Sequence, residues 1–181
     1  ERGGFPEPYL SDDPIDAKRW RLQYVDSLLR TDVLDFENIQ NVRAIRLLFD
    51  MLREKVGSTI SYSSLAEDIA ISPNTVKKYI QILEALYIVF RVQPFTKNNA
   101  RSLLKEPKIY FFDTGLVKGD MGAKFENLVA QCLQKHVLSL IDSQAEPYSL
   151  HYLRTKEGHE IDFALANDEK IEKIIEVKNA N

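Results

Sequence analysis

Residues 160–165 read Glu-Ile-Asp-Phe-Ala-Leu, and residues 173–178 read Lys-Ile-Ile-Glu-Val-Lys. In the first run apolar and polar residues alternate, which is the pattern of a β-strand with one buried face. The second run contains Ile174, Ile175 and Val177 and comes after the turn residues Asn167-Asp168-Glu169. We therefore predict two adjacent, paired strands. Glu176 and Lys178 would share one face, because side chains on a strand repeat every two residues.

The acidic residues of these strands form a candidate metal site. On paired strands the carboxylates of Asp162 and Glu176 can converge, and together with the carbonyl of Val177 they are hard oxygen ligands that suit Mg²⁺. Lys178 would stand beside the metal, where it could orient an attacking water or stabilise charge on a phosphate. Glu126, on a preceding helix, could approach as an outer carboxylate. The alternative is an exposed ion pair on a sheet, worth at most ~1 kcal/mol.

Upstream, residues 59–113 have the order of elements of a winged helix-turn-helix. Residues 64–67 (Ser-Leu-Ala-Glu) match a capping box, and Ser72-Pro73 is typical of the start of a second helix. The runs 88–95 and 108–113 then predict a hairpin. The second helix of such a motif enters the major groove, and hairpin cations contact phosphates. The predicted DNA contacts are Asn74, Thr75, Lys77, Lys78 and Gln81 on the helix and Lys97, Arg101 and Lys105 on the hairpin.

Winged helices also serve as protein contacts or rigid connectors, so this alternative to DNA binding stays open. Residues 72–110 contain seven basic and two acidic residues, although the whole chain has a formal charge of −3. Such a local excess indicates an anionic partner, or simply a solvated face.

Composition excludes several classes of protein. The 181 residues are 44% hydrophobic and 28% charged, which is typical of a globular protein and not of a disordered one. The single cysteine, Cys132, excludes a disulfide framework and a zinc site built on several thiolates. No apolar run reaches the roughly 20 residues that span a bilayer. We therefore expect a cytoplasmic protein with no membrane partner.

The predicted organisation has three parts. Residues 1–37 are an extended, proline-interrupted linker and a helix, residues 38–118 hold the winged helix, and residues 119–181 form an α/β unit. The last part opens with a helix from about Ala123 to Ile141. Its predicted buried side consists of Phe125, Leu128, Val129, Cys132, Leu133, Val137 and Leu140. The chain begins without Met and stops after an apolar run, so we expect a fragment of a longer protein.

The motifs carry a family resemblance. The helix with Glu126, followed by residues 158–163 (Gly-His-Glu-Ile-Asp-Phe) and 175–178 (Ile-Glu-Val-Lys), resembles the PD-(D/E)XK nuclease superfamily of restriction-endonuclease-like domains. The whole chain, from Gly3-Gly4-Phe5-Pro6 through residues 110–116 (Tyr-Phe-Phe-Asp-Thr-Gly-Leu), resembles the C-terminal region of a group of prokaryotic AAA-type ATPases. By that resemblance Asp162, Glu176 and Lys178 match the acidic, acidic and basic motif positions, and Glu126 matches the helix carboxylate.

The resemblance implies an α/β (α+β) fold in which a helical linker and a winged helix precede a partial nuclease-like domain with a mixed sheet. It also implies that ATP and any homo-oligomer belong to a preceding P-loop ATPase domain. This chain has no Gly-x-x-x-x-Gly-Lys-Ser/Thr motif. The implied function is DNA binding with Mg²⁺-dependent nuclease chemistry. The alternative is a non-catalytic DNA- or protein-binding module that regulates the ATPase.

Overall fold

The computed structural model describes residues 3–29, 41–96, 105–155 and 158–178. In these ranges helices and strands combine in one mixed α/β architecture, as predicted. The helices are α1 (Pro6–Leu10), α2 (Pro14–Ser27), α3 (Val42–Glu54), α4 (Tyr62–Ile69), α5 (Pro73–Ala85) and α6 (Met121–Gln144). The strands are β1 (Val89–Pro94), β2 (Lys108–Phe111), β3 (Tyr148–Arg154), β4 (Glu160–Asn167) and β5 (Lys170–Ile175).

Helix starts follow local capping chemistry. Asp13 caps α2 by accepting the N–H of Ile15, and Ser72 caps α5, where Pro73 occupies the first turn as predicted. The predicted capping box at residues 64–67 is wrong, because Ser61 is the residue that caps α4. Ser61 accepts the N–H of Ser64, so Ser64 lies inside the helix instead of before it.

The predicted extended linker also contains a helix. α1 begins at Pro6, a residue suited to a first helical turn. The ring of Phe5, just before it, lies 5.1 Å from Trp20 and 4.7 Å from Tyr24 on α2, measured between centroids. This aromatic contact holds the N-terminal segment against α2.

The five strands form one sheet in the order β2-β1-β3-β4-β5. All neighbours are antiparallel except β1 and β3, which pair in parallel through Gln93 with His151 and Pro94 with Tyr152. The hairpin of the winged helix is therefore not a free wing, because β1 is hydrogen-bonded on both sides. The division into parts at residues 38 and 119 stays a prediction, and the sheet runs across the second boundary.

The core lies between the helices and this sheet. α3 buries Ile45, Leu48 and Leu52 completely, and its Phe49 ring meets Phe111 of β2 edge to face, with centroids 5.8 Å apart. Fully burying a large apolar side chain contributes about 1.5–3 kcal/mol. The same core cluster continues through α5 into β4, so the two halves of the chain share it.

The predicted buried side of α6 is wrong in part. Val137 is buried as expected, but Phe125 and Leu128 are 43% and 47% exposed, and Cys132 is exposed as well. The buried position is instead taken by a polar residue, Asn127, which is 0% exposed. β2 lies at the edge of the sheet, so backbone groups on its outer side that no neighbouring strand pairs need other partners.

Asn127 supplies these partners for β2. Its Oδ1 accepts the N–H of Phe111 at 2.8 Å, and its Nδ2 donates to the Phe111 carbonyl at 3.0 Å. Gln131, one turn later, also donates to that carbonyl at 3.1 Å. The polar face of α6 therefore turns towards the sheet, and part of the apolar stripe turns outward.

The last strand is shifted from its predicted position. Asp168 adopts a left-handed conformation (φ 55°), and the resulting tight turn pairs Asn167 with Lys170, so β5 starts at Lys170. The ladder ends where Ile175 pairs with Phe163. The predicted strand at 173–178 is therefore too late, and Glu176 and Lys178 follow the strand instead of lying in it.

In the described ranges we find no helix with both the length and the apolar character needed to cross a membrane.

Candidate functional site

A buried lysine stands at the centre of the predicted acidic site. Lys108, the first residue of β2, has a side chain that is only 3% exposed. Its Nζ lies 3.4 Å from Glu160 Oε2, 3.8 Å from Asp162 Oδ1 and 4.0 Å from Glu126 Oε1. The ring centroid of Tyr152 lies 5.5 Å from the same Nζ. We call Lys108 with Glu126, Glu160 and Asp162 the Lys108 cluster.

Three elements position the Lys108 cluster. β2 is held by pairing of Lys108 with Val92 of β1 and by an isolated bridge from Lys108 to Thr59. Glu160 and Asp162 are two residues apart on β4 and therefore share one face of the strand. Glu126 comes from the second turn of α6. The cluster thus connects the hairpin, the central strand of the last part and the long helix.

Further contacts restrain the Glu126 carboxylate. Tyr110, two residues after Lys108 on β2, donates its hydroxyl to Glu126 Oε1 at 2.6 Å. Burial, and then the charge of Glu126, raise the pKa of Tyr110 far above its ordinary value, so this hydroxyl stays a donor. Gly57 has φ +77° and approaches closely, since an added Cβ there would lie 2.7 Å from Glu126 Oε1. The carboxylate is therefore confined by a donor on one side and by backbone on the other.

Asp162 is the member of the cluster that contacts residues 176–178, the last of the predicted motifs. Its Oδ2 accepts the N–H of Val177 at 2.9 Å, which holds residues 176–178 beside β4. The side chains of Glu176 and Lys178 are exposed. Among the described residues neither makes an ion pair or a side-chain hydrogen bond with the cluster. The structure thus brings together Glu126 and Asp162, and leaves Glu176 and Lys178 at the margin.

The oxygen donors of this site are chemically suited to Mg²⁺, but their arrangement is not. The ammonium of Lys108 occupies the point on which the carboxylates converge, and one oxygen of Asp162 is committed to a backbone N–H. Within the described ranges, no group of three or more His, Cys, Asp and Glu side chains has a geometry that could hold a metal ion. The residues in this arrangement therefore do not fit a divalent ion. The positive charge among them comes from Lys108 and, at Glu160, also from Arg154, whose Nε lies 3.5 Å from Glu160 Oε1.

The second candidate site is the outer face of α5. Asn74, Lys77, Lys78 and Gln81 are all exposed on this helix. Thr75 is half-buried, and its Oγ1 and N–H lie 2.8 Å and 3.1 Å from the Ser72 hydroxyl, so it serves the cap of the helix.

Two further observations concern the predicted DNA contacts. The Nζ of Lys77 stands over the ring of Tyr62 at 5.4 Å from its centroid, a cation–π contact that links α5 to α4. Lys105 is exposed just before β2. The other two predicted hairpin contacts, Lys97 and Arg101, lie outside the described residues.

Sequence reasoning missed Lys108, Tyr110 and Glu160 as members of the site. A signal was present: Lys108 and Tyr110 are two residues apart in a four-residue strand that is buried throughout, and a lysine in such a strand requires carboxylate partners. The identity of those partners depends on contacts of long sequence separation, so it could not be obtained from the run 108–113 alone.

Comparisons with known proteins give two family matches. A model described as "Domain of unknown function (DUF8612)" matches residues 1–124, and one described as "Domain of unknown function (DUF4143)" matches residues 121–181. "Uncharacterized protein Rv2008c" of Mycobacterium tuberculosis is 26% identical over 168 residues, which cover 89% of this chain and 38% of that protein. "Uncharacterized protein MJ1544" of Methanocaldococcus jannaschii is 26% identical over 179 residues, covering 93% and 38%.

The chain therefore spans 38% of the length of these two relatives. No solved structure matches it significantly.

Proposed function

We propose that the chain, which belongs to the DUF8612 family of domains of unknown function through residues 1–124, engages DNA with the exposed face of α5. The observation that carries this proposal is the strict division of α5 into two faces. Val76, Ile80 and Leu83 are fully buried. The polar side chains Asn74, Lys77, Lys78 and Gln81 stay exposed after a capped N-terminus.

The chemistry of this exposed face suits a nucleic acid. Amide side chains such as those of Asn74 and Gln81 can pair with adenine edges, while the two lysines supply contacts to phosphates. Each phosphate contact releases counterions, so affinity falls with salt at a slope of about −0.9 per contact on a log–log plot. Lys77 and Lys78 together are therefore expected to contribute about 2 units of that slope.

The experiment is a fluorescence anisotropy titration of a labelled DNA duplex at several salt concentrations. Lys77→Ala/Lys78→Ala should weaken binding at low salt and reduce the salt slope. Lys55→Ala/Lys135→Ala removes two exposed lysines elsewhere in the chain and serves as the charge-matched control. Equal affinity of both double variants, or no binding by the parent chain at low salt, would overturn the proposal in favour of a protein partner.

In this proposal the Lys108 cluster is a non-catalytic, nuclease-like centre. The ammonium of Lys108 supplies the positive charge that holds β4 and α6 against the hairpin, and through the hairpin against the DNA-binding helix. The module would then recognise DNA on behalf of the longer protein, and any ATP binding, ATP-driven work and self-assembly would belong to a preceding ATPase domain. This is the regulatory alternative that the sequence leaves open.

A second candidate function is Mg²⁺-dependent DNA cleavage by the intact protein. It is favoured by the Asp162–Val177 contact, which keeps residues 176–178 beside two of the predicted acidic residues. Cleavage would require Lys108 to leave the carboxylates, since its ammonium lies at the point on which they converge.

The test of this second function is an assay of plasmid and linear DNA cleavage by the full-length protein with Mg²⁺ or Mn²⁺. Asp162→Ala and Lys178→Ala should each abolish cleavage, while Lys173→Ala, an exposed lysine on β5, should leave it intact. Cleavage that persists in Asp162→Ala would show a contaminating nuclease or a different site.

A further inference from the structure

A concave pocket of about 480 Å³ lies between α2, α3 and the segment 115–124. Its walls are unusually basic for a chain with a net charge of −3. The charged side chains that line it are Lys18, Arg21, Arg46, Arg53, Lys118 and Lys124, with Asp50 as the one carboxylate. None of the residues of the α5 face or of the Lys108 cluster lines this pocket, so it is a separate site.

Arg53 is a partly buried member of this set of charged groups. Its side chain is 16% exposed, its Nε donates to the carbonyl of Leu116 at 2.5 Å, and its Nη1 lies 3.3 Å from Asp50. Burial lowers the pKa of the Arg53 guanidinium; Asp50 opposes this change, and the neighbouring charge of Arg21 adds to it. A guanidinium held in place beside a second one is the arrangement that binds an anion with little reorganisation.

Among the residues that the structure describes, the carboxylates near the pocket are fewer than its cations. Asp50 pairs with Arg53 and also with Lys118, whose Nζ lies 3.1 Å from Asp50 and 3.8 Å from Glu54. Arg46 is paired with Asp26 at 2.6 Å, and within the described ranges neither Lys18 nor Lys124 makes an ion pair. A concavity lined by one sign of charge focuses the electrostatic potential and concentrates counter-ions.

We infer that this pocket binds a compact ligand that carries two or more phosphate groups. Its volume falls in the range of about 300–1,000 Å³ typical of small-molecule sites. Arginine and lysine are the side chains that recognise phosphate, arginine through two parallel N–H donors. A DNA duplex is the less suitable occupant, because its phosphates follow an open row along the helix, whereas these cations line a concave pocket bounded by α2, α3 and the segment 115–124. This site lies beyond the proposed function of α5 and does not depend on it.

The experiment uses the full chain and inorganic pyrophosphate as the probe. Isothermal titration calorimetry should detect pyrophosphate binding. Sodium chloride is used to keep the ionic strength the same in every titration, and binding should persist under that condition. Arg21→Ala/Lys124→Ala should weaken pyrophosphate binding at least tenfold. Arg19→Ala/Arg43→Ala removes two exposed arginines from α2 and α3 outside the pocket and should change it less than twofold.

Three results would overturn the inference: no pyrophosphate binding by the parent chain, equal weakening in both double variants, or displacement of pyrophosphate by a DNA duplex with a matching loss in Arg21→Ala/Lys124→Ala. The last result would make the pocket part of a DNA surface. Should the double variant fail to give the far-ultraviolet circular dichroism of the parent, Lys18→Ala alone, at an exposed position, should still weaken binding at least threefold. The α5 variants do not enter this test, so failure here leaves the DNA proposal untouched.

Discussion

Replacing the buried Lys108 with methionine should destabilise the fold more than the same substitution at any other lysine among the described residues. Methionine keeps an apolar stem of similar length but removes the ammonium, and this leaves Glu126, Glu160 and Asp162 facing one another. These carboxylates are 21%, 31% and 21% exposed, so solvent screens them in part. Breaking a fully buried pair costs about 3–5 kcal/mol. Allowing for the exposure, we expect a loss of about 2–4 kcal/mol.

Urea unfolding measures this loss directly. With a slope of about 2 kcal/mol per molar urea, the midpoint should fall by roughly 1–2 M. Thermal unfolding should shift down by roughly 4–16 °C. Lys135→Met, at an exposed position on α6, is the matched control and should change the free energy of unfolding by less than about 0.5 kcal/mol.

A double-mutant cycle then separates charge from packing. Glu160 is the nearest carboxylate to the Lys108 ammonium, so adding Glu160→Gln to Lys108→Met should recover at least about 1 kcal/mol of the loss. If Lys108→Met unfolds at the same urea concentration as the parent, the ammonium does not balance the carboxylates. If the loss is present but the cycle shows no coupling, the lysine acts through packing alone, and the electrostatic reasoning is refuted.

Three further predictions concern stability. Asn127→Ala removes both side-chain hydrogen bonds to Phe111. The buried N–H of Phe111 then has no partner, although Gln131 still donates to its carbonyl, so the change should cost about 1–3 kcal/mol in urea unfolding. Ala70→Gly should raise the free energy of unfolding by about 1 kcal/mol, because Ala70 has φ 60°, a conformation that costs an L-residue roughly 1–2 kcal/mol. Burial lowers the pKa of His151, so the contribution of the neutral His151 to the free energy of unfolding should be fully present above about pH 6.5 and should decline as the pH falls below it. His151→Gln should flatten this decline in urea midpoints measured from pH 7.5 to 5.

Each of these predictions has a contrary result. An Asn127→Ala variant as stable as the parent would mean that water replaces both hydrogen bonds at the sheet edge. A destabilised Ala70→Gly would show that the methyl group contributes more than the backbone conformation costs. For His151, the sign is set by the unfolded chain taking up the proton at higher pH than the folded one, so a parent chain that gains stability on acidification would contradict the lowered pKa.

Features that depend on a few neighbouring residues could be predicted from the sequence. Ser72 and Pro73 mark the start of α5, because the cap and the amide that it satisfies are within three residues of each other. The α5 face could be predicted for the same reason, since the polar and apolar residues of this one helix fall on opposite faces.

Features that depend on distant partners could not be predicted. Whether Asn127 or Cys132 faces the sheet depends on the unpaired edge of β2, which no pattern within α6 reveals. The late start predicted for β5 overlooked the left-handed Asp168, which shortens the turn. The basic pocket gathers cations from α2, α3 and the segment 115–124, and the local excess in residues 72–110 gave no indication of it.

The parallel pairing of β1 with β3 has a consequence for how the chain can be divided. The two family matches meet near residues 121–124, yet the pairing of Gln93 with His151 and of Pro94 with Tyr152 reaches across that junction. A gene cut at the junction would yield two polypeptides, each with a bare strand ready to associate with foreign backbone. Neither half should accumulate as an independent folding unit. Recombination that replaces one half with that of a distant homologue would have to preserve the pairing of β1 with β3.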